Sequence, residues 1–176
     1  MALHLIIDGY NLIRQSPELL RHEKKDLEKG RAMLLRNLSA YQRIKRHAIT
    51  VVFDGWVEGD IFERRGREGR IKFIFSRRGE KADEVIKRLA AQKKGEEITV
   101  VTSDRELACS CALEGGTIVS SPEFLAKMEY AQYSDQKGIV NEKEDNESYI
   151  RGTKKKGPSK RAPKSFRHRQ SLLKKL

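Results

Sequence analysis

Five apolar runs of strand length recur along the chain: Leu3–Ile7, Ala48–Phe53, Ile71–Phe75, Ile98–Val101 and a last one beginning at Thr117. None alternates apolar with polar residues in the way a half-exposed strand does. The first four are each broken by a single other residue, His4, Thr50, Lys72 or Thr99, and runs so largely apolar fit strands covered on both faces. Helix-period segments fill all but one of the intervals. Ser16-Pro17-Glu18 is an N-cap with proline at the first helical position. Leu27, Leu34, Leu38, Tyr41 or Gln42, and Ile44 then follow a period near 3.6, with Gly30 read as a break, giving two helices, or as a kink. "EKADEVIKRLAAQKKG", closed by Gly95, "RELACSCALEGG", and "PEFLAKMEYAQ", capped by Ser121-Pro122, are further helices. The exceptional interval, "WVEGDIFERRGREGR", reads as a basic loop. This alternation predicts an α/β fold: a mostly parallel five-stranded sheet with helices on both faces.

Parallel sheets gather their sites outside the carboxyl ends of the strands. Asp8 ends the first strand, Asp54 the second and Asp104 the fourth, while Asp83 lies in the first turn of the helix after the third. The predicted fold therefore sends these acids to one rim. Glu80 lies one turn before Asp83. A single aspartate at a strand end is commonly a turn former or helix cap, but the trio Asp8, Asp83 and Asp104 has a further consequence. Crowded carboxylates repel and take up protons unless a cation lies between them. Mg²⁺ takes oxygen ligands, uses one or two carboxylates, and leaves positions for water and phosphate. Asn11 can bind a phosphate or hold Asp8, and Gly9 is expected to allow the tight turn between them. Ser103 and Arg105 flank Asp104. Arg105 pairs with a phosphate or is simply solvated. Arg64, Arg65 and Arg67, with Arg77 and Arg78, place cations near the same rim, where they can hold an RNA backbone. Trp56 stacks on a base or covers its own loop.

The net charge of +12 is unevenly placed. Residues 151–176 hold 11 Lys or Arg, among them Lys154, Lys155 and Lys156, and no Asp or Glu, whereas residues 1–150 hold 26 basic and 25 acidic side chains. This predicts a folded domain over 1–134 and a flexible charged tail over 135–176, strongly basic from 151. Such a tail is a handle for a polyanion, nucleic acid above all, or a solubilising end. "SLLKKL" at 171–176 is its one amphipathic stretch. No signal peptide and no apolar run of the roughly 20 residues a membrane span needs is visible. Cys109 and Cys111 make no disulfide framework, so a disulfide-linked partner is not expected and a reducing, cytoplasmic setting is. His4, His22, His47 and His168 lack a zinc spacing.

"IIDGYNLI", "VVFDG", "EKADEVI" and "VVTSDRE" together resemble the NYN domain of the PIN-like nuclease superfamily, and more narrowly the bacterial YacP-type NYN proteins. The resemblance covers about residues 1–130. It implies a PIN-like three-layer fold with strand order 3-2-1-4-5 and a Mg²⁺- or Mn²⁺-dependent endoribonuclease. Asp8, Asp83 and Asp104 match the family's metal acids and Asn11 its motif asparagine. Asp54 matches a motif position, and Glu80, Ser103 and Arg105 are possible accessories. The resemblance also implies an mRNA substrate and a ribosome partner. The expected reaction is hydrolysis of a phosphodiester, leaving a 5′ phosphate and a 3′ hydroxyl.

The main alternative is an RNA- or ribosome-binding protein that does not cut. A haloacid dehalogenase-type phosphatase needs a second Asp two residues after the first, where this chain has Tyr10. A dinucleotide-binding domain needs G-x-G-x-x-G after the first strand, where Asp8-Gly9-Tyr10-Asn11 stands.

Overall fold

The computed structural model describes residues 3–55, 61–92, 97–136 and 171–176. Its centre is β1 (His4–Asp8), in which every residue after His4 is buried. Leu5 and Ile7 point to one side and Ile6 to the other, so the strand feeds two cores at once. β2 (Ala48–Phe53) and β5 (Ile98–Val101) flank it in parallel, β4 (Ile71–Phe75) adds beyond β2, and β6 (Thr117–Val119) adds beyond β5. These five strands have the expected order 3-2-1-4-5.

On one face lie α1 (Gly9–Gln15), α2 (Pro17–Lys25), α3 (Leu27–Lys45) and α6 (Ser121–Gln136), with Leu12, Leu19, Leu34, Leu38, Tyr41 and Phe124 in the larger core. On the other lie α4 (Ala82–Gln92) and α5 (Arg105–Leu113), with Val85, Ile86, Leu107 and Cys111 in the smaller one. The result is the three-layer arrangement predicted from the alternation.

Three expectations are corrected. The sheet has six strands, because Arg64–Glu68, read as loop, forms β3, antiparallel to β4 at the end of the sheet. Its sequence, RRGRE, carries no apolar alternation because an edge strand needs little burial and charge there discourages pairing with other chains. Gly69, with φ of +57°, makes the two-residue turn into β4. Gly30, secondly, does not break a helix: α3 runs through it. A Cβ at Gly30 would lie 2.9 Å from the Glu23 Cα, so the glycine lets α2 and α3 meet backbone to backbone. The breaks fall at Ser16 and Asp26, whose side chains accept from the N–H groups of Leu19 and Glu28.

The third correction concerns the tail. α6 continues to Gln136, and the last six residues are packed. Residues 171–175 are helical, and Leu172 and Leu176, four apart, are buried in the larger core. Tyr41 Oη donates to the Leu176 carbonyl at 2.9 Å, Lys127 Nζ to that of Leu173 at 2.5 Å, and His47 Nε2 lies 3.0 Å from that of Lys175. Lys175 pairs with Glu97 at 3.0 Å. The basic composition masked this, since the apolar part of the docking is only Leu172 and Leu176, with Leu173 packed partly buried beside them. His47 and Glu97 precede β2 and β5, so the clasp closes the pole opposite the acidic rim. Lys154, Lys155, Lys156 and Trp56 lie outside the described residues.

Cys109 is exposed and Cys111 buried, both as free thiols. No helix among the described residues is long and apolar enough to cross a membrane.

The clasp makes a direct prediction. Leu172→Ala should lower the unfolding free energy by about 2–5 kcal/mol, the range for emptying a buried leucine site. Urea denaturation reads it, and an unchanged midpoint would mean that the segment is not packed in solution.

Candidate active site

The acidic rim is built from the carboxyl end of β1. Asp8 is buried and caps α1, its Oδ1 accepting from the Asn11 backbone N–H at 3.2 Å. Its Oδ2 accepts from the Thr102 hydroxyl at 3.3 Å. Gly9, next to it, makes no left-handed turn. A Cβ there would stand 2.5 Å from the Phe53 ring, so the glycine lets α1 start directly above β2. Tyr10 faces that core, edge-on to Phe53, and its hydroxyl accepts from Arg31 Nη1 at 3.0 Å.

After β5 the chain passes through Thr102, Ser103 and Asp104. Asp104 caps α5, accepting from the Leu107 N–H at 2.9 Å, and its own N–H donates to Thr102 Oγ1 at 3.1 Å. Asp83 stands in the first turn of α4, where a carboxylate is favourable. Asp54 follows β2 and accepts from Ser76 Oγ at 3.4 Å.

These carboxylates feel one another. Burial pushes the Asp8 carboxyl up to about 6, with the charges of Asp83 and Asp104 adding to it and the bonds from Asn11 and Thr102 opposing it. The Asp83 carboxyl is also raised, by burial first, then by Asp104, with Asp54 contributing. The topology thus brings Asp8, Asp83, Asp104 and Asp54 to one rim. Among the described residues, no three Asp, Glu, His or Cys side chains are grouped closely enough to enclose an ion by themselves. The donor set is all oxygen, the ligand type that hard cations such as Mg²⁺ take.

Asn11 turns out to be a latch. Its Oδ1 accepts from the Ser103 N–H at 3.0 Å and from Ser121 Oγ at 2.7 Å, while Ser103 Oγ accepts from the Ser121 N–H at 3.2 Å. A backbone N–H can only donate, which fixes the amide orientation. Asn11 thereby ties the turn after β1 to the turn after β5 and to the start of α6. Ser121 is a site residue that sequence reasoning read only as a helix cap. A serine before proline looks the same in sequence whether it caps a helix or also bonds across the fold.

Glu80 is not among the rim acids. It is buried against Arg88 Nη1 at 2.5 Å and Arg77 Nε at 3.4 Å, and Arg88 also bonds Glu63. A carboxylate so paired has little left for another cation. Arg77 is drawn into that cluster, and Arg65 pairs with Glu63 at 2.6 Å. Arg67 Nε donates to the Gly69 carbonyl at 2.7 Å. Arg64, Arg78 and Arg105 are exposed.

Asp8 sets a pH dependence that can be measured without substrate. Its folded value of about 6 lies above the unfolded value near 3.8. The fold therefore favours the protonated form, and stability is lost as pH rises from about 4 to about 6. In chelator at pH 7.5, Asp8→Asn should raise the unfolding free energy by up to about 3 kcal/mol, two pKa units at 1.36 kcal/mol each. The gain should vanish at pH 4. A variant equally destabilised at both pH values would contradict this reading of Asp8.

A model of the YacP-like NYN domain matches residues 5–164. A Bacillus subtilis (strain 168) protein called "Uncharacterized protein YacP" is 30% identical over 127 residues, 71% of this chain and 74% of that protein. The crystal structure of Rae1 (YacP) from Bacillus subtilis superposes with a TM-score of 0.65 at 28% identity, covering 79% of this chain and 80% of that one. The structure of its tryptophan-to-leucine mutant superposes with the same score and identity, covering 80% and 84%. The order of the motifs, the three-layer fold and these matches agree: the chain belongs to the YacP-like NYN domain family, a nuclease-type family whose function is tied to RNA.

Proposed function

We propose that the protein is an endoribonuclease that hydrolyses phosphodiester bonds in RNA with Mg²⁺ or Mn²⁺ held at Asp8, Asp83 and Asp104. The observation that carries this is the gathering of three carboxylates from β1, α4 and the end of β5, with Asp8 and Asp83 raised by burial first and by neighbouring acids second. The cation would supply the charge that lets these groups ionise together and the Lewis acidity that activates water and steadies the departing 3′ oxygen. The chain's own part is positioning. Thr102 and the Asn11 N–H aim the two oxygens of Asp8. Asn11 and Ser121 hold the Ser103 turn, and with it Asp104, against the end of β1. Arg105, exposed beside Asp104, is the cation assigned to a phosphate in this reading.

The reading extends to mRNA on the translating ribosome, and to a cytoplasmic protein, on the strength of the family resemblance. Labelled mRNA, free and on translating ribosomes, tests it. Cuts should require Mg²⁺ or Mn²⁺ and should fall at least about 100-fold in rate for Asp8→Asn, or about 2.7 kcal/mol of barrier. Binding without any cutting would favour a non-catalytic RNA- or ribosome-binding protein.

The basic segment makes a separate prediction. Since residues 171–176 are packed, charge should be removed without deletion. Replacing Lys154, Lys155 and Lys156 with glutamine should weaken single-stranded RNA binding and reduce the salt slope by up to about 2, near 0.7 per phosphate contact. Fluorescence anisotropy over a salt series reads both, and an unchanged slope would remove these lysines from the RNA path.

A further inference from the structure

Asp104 belongs to two surroundings. On one side is the acid cluster. On the other it forms the wall of a groove of about 720 Å³ between α5 and the end of the sheet. The floor of the groove is flat. Ala108 and Ala112, four apart on one face of α5, and the Gly115-Gly116 turn offer no side chain longer than a methyl. Gly116 is needed for this closeness, because a Cβ there would stand 3.0 Å from the Cys111 carbonyl. Thr117 and Ile118 of β6 make the far wall. β6 ends the strand order, so among the described residues one side of its backbone has no strand partner. Ser103, Arg105 and Ser120 stand at the mouth.

We infer that this groove seats the nucleotide adjacent to the bond cut and sets which base is accepted there, an inference that rests on the nuclease reading above. The strand that presents a phosphate to Asp104 must pass along the groove that Asp104 lines. A smooth alanine–glycine floor fits the face of a base, the free backbone edge of β6 offers donors and acceptors to its rim, and Arg105 meets a neighbouring phosphate. The volume falls within the roughly 300–1,000 Å³ of sites for one small ligand, enough to take one unstacked nucleotide. The rim acids would meet the phosphate only through a shared cation and so carry no base information, which leaves discrimination to the groove.

Ala112 is exposed, so Ala112→Trp fills the groove without entering the core. For a single-stranded RNA cut by the wild type, the variant should raise KM about 10-fold or more, hold kcat within about 3-fold, and change the base preferred next to the cut. Unchanged KM and base preference would overturn the inference. A second measurement uses the wild-type chain alone. RNA carrying 4-thiouridine at each position flanking the cut is cross-linked and the modified peptide is mapped. Cross-links within residues 105–120 support the groove, and cross-links confined to other peptides overturn it. Should wild type cut no RNA with either metal, the nuclease reading falls, while the same mapping with single-stranded RNA carrying 4-thiouridine at every uridine still decides whether the groove holds RNA.

Discussion

The Thr102 hydroxyl stands between two acids. It donates to Asp8 Oδ2 and accepts the backbone N–H of Asp104, so one buried side chain sets the spacing of the ends of β1 and β5. Everything else at the rim is arranged around that link. Asp8 and Asp104 each cap a helix with one oxygen. Asn11, Ser103 and Ser121 repeat the cross-tie one layer further out. Two of the rim carboxylates, Asp8 and Asp104, are thus oriented by the chain's own hydrogen bonds. Preorganised charge of this kind is what a site gains from sitting on strand ends and helix starts rather than on a long loop.

The two poles of the sheet are used differently. The carboxyl pole carries the crowded acids and an open groove. The amino pole is closed by the final residues, with Leu172 and Leu176 in the core and Tyr41, His47, Glu97 and Lys127 bonded to their backbone or side chains. A chain region with high positive charge thus begins past α6 and ends in a packed anchor. The tail is not free at its end, which is why its charge is better probed by neutralisation than by deletion.

Much of this was legible in the sequence. Largely apolar runs at strand length announced buried parallel strands, and acids at three of their ends or following helix starts announced one rim. What was hidden had local physical causes. β3 is RRGRE, and an edge strand facing water has no apolar pattern to read. Gly9 and Gly30 were read as backbone freedom, whereas both make room, for the Phe53 ring and for the α2 backbone. Glu80 lies one turn from Asp83, but its partner Arg88 comes from further along α4 and its neighbour Glu63 from before β3, so only the fold shows that Glu80 is already paired. Ser121 and Thr102 bond across more than 90 residues of chain, a distance over which a serine or threonine leaves no sequence signature.

The central claim is that the rim acids share a divalent cation. Mn²⁺ binding followed by electron paramagnetic resonance tests it most directly, with wild type, Asp83→Asn and Asp104→Asn compared in the absence of RNA. A bound signal in the wild type, competed by Mg²⁺ and weakened about 10-fold or more by either substitution, is the predicted result for ligands that share one ion. Undiminished Mn²⁺ affinity in both variants, or no bound Mn²⁺ in the wild type at millimolar metal, would contradict it.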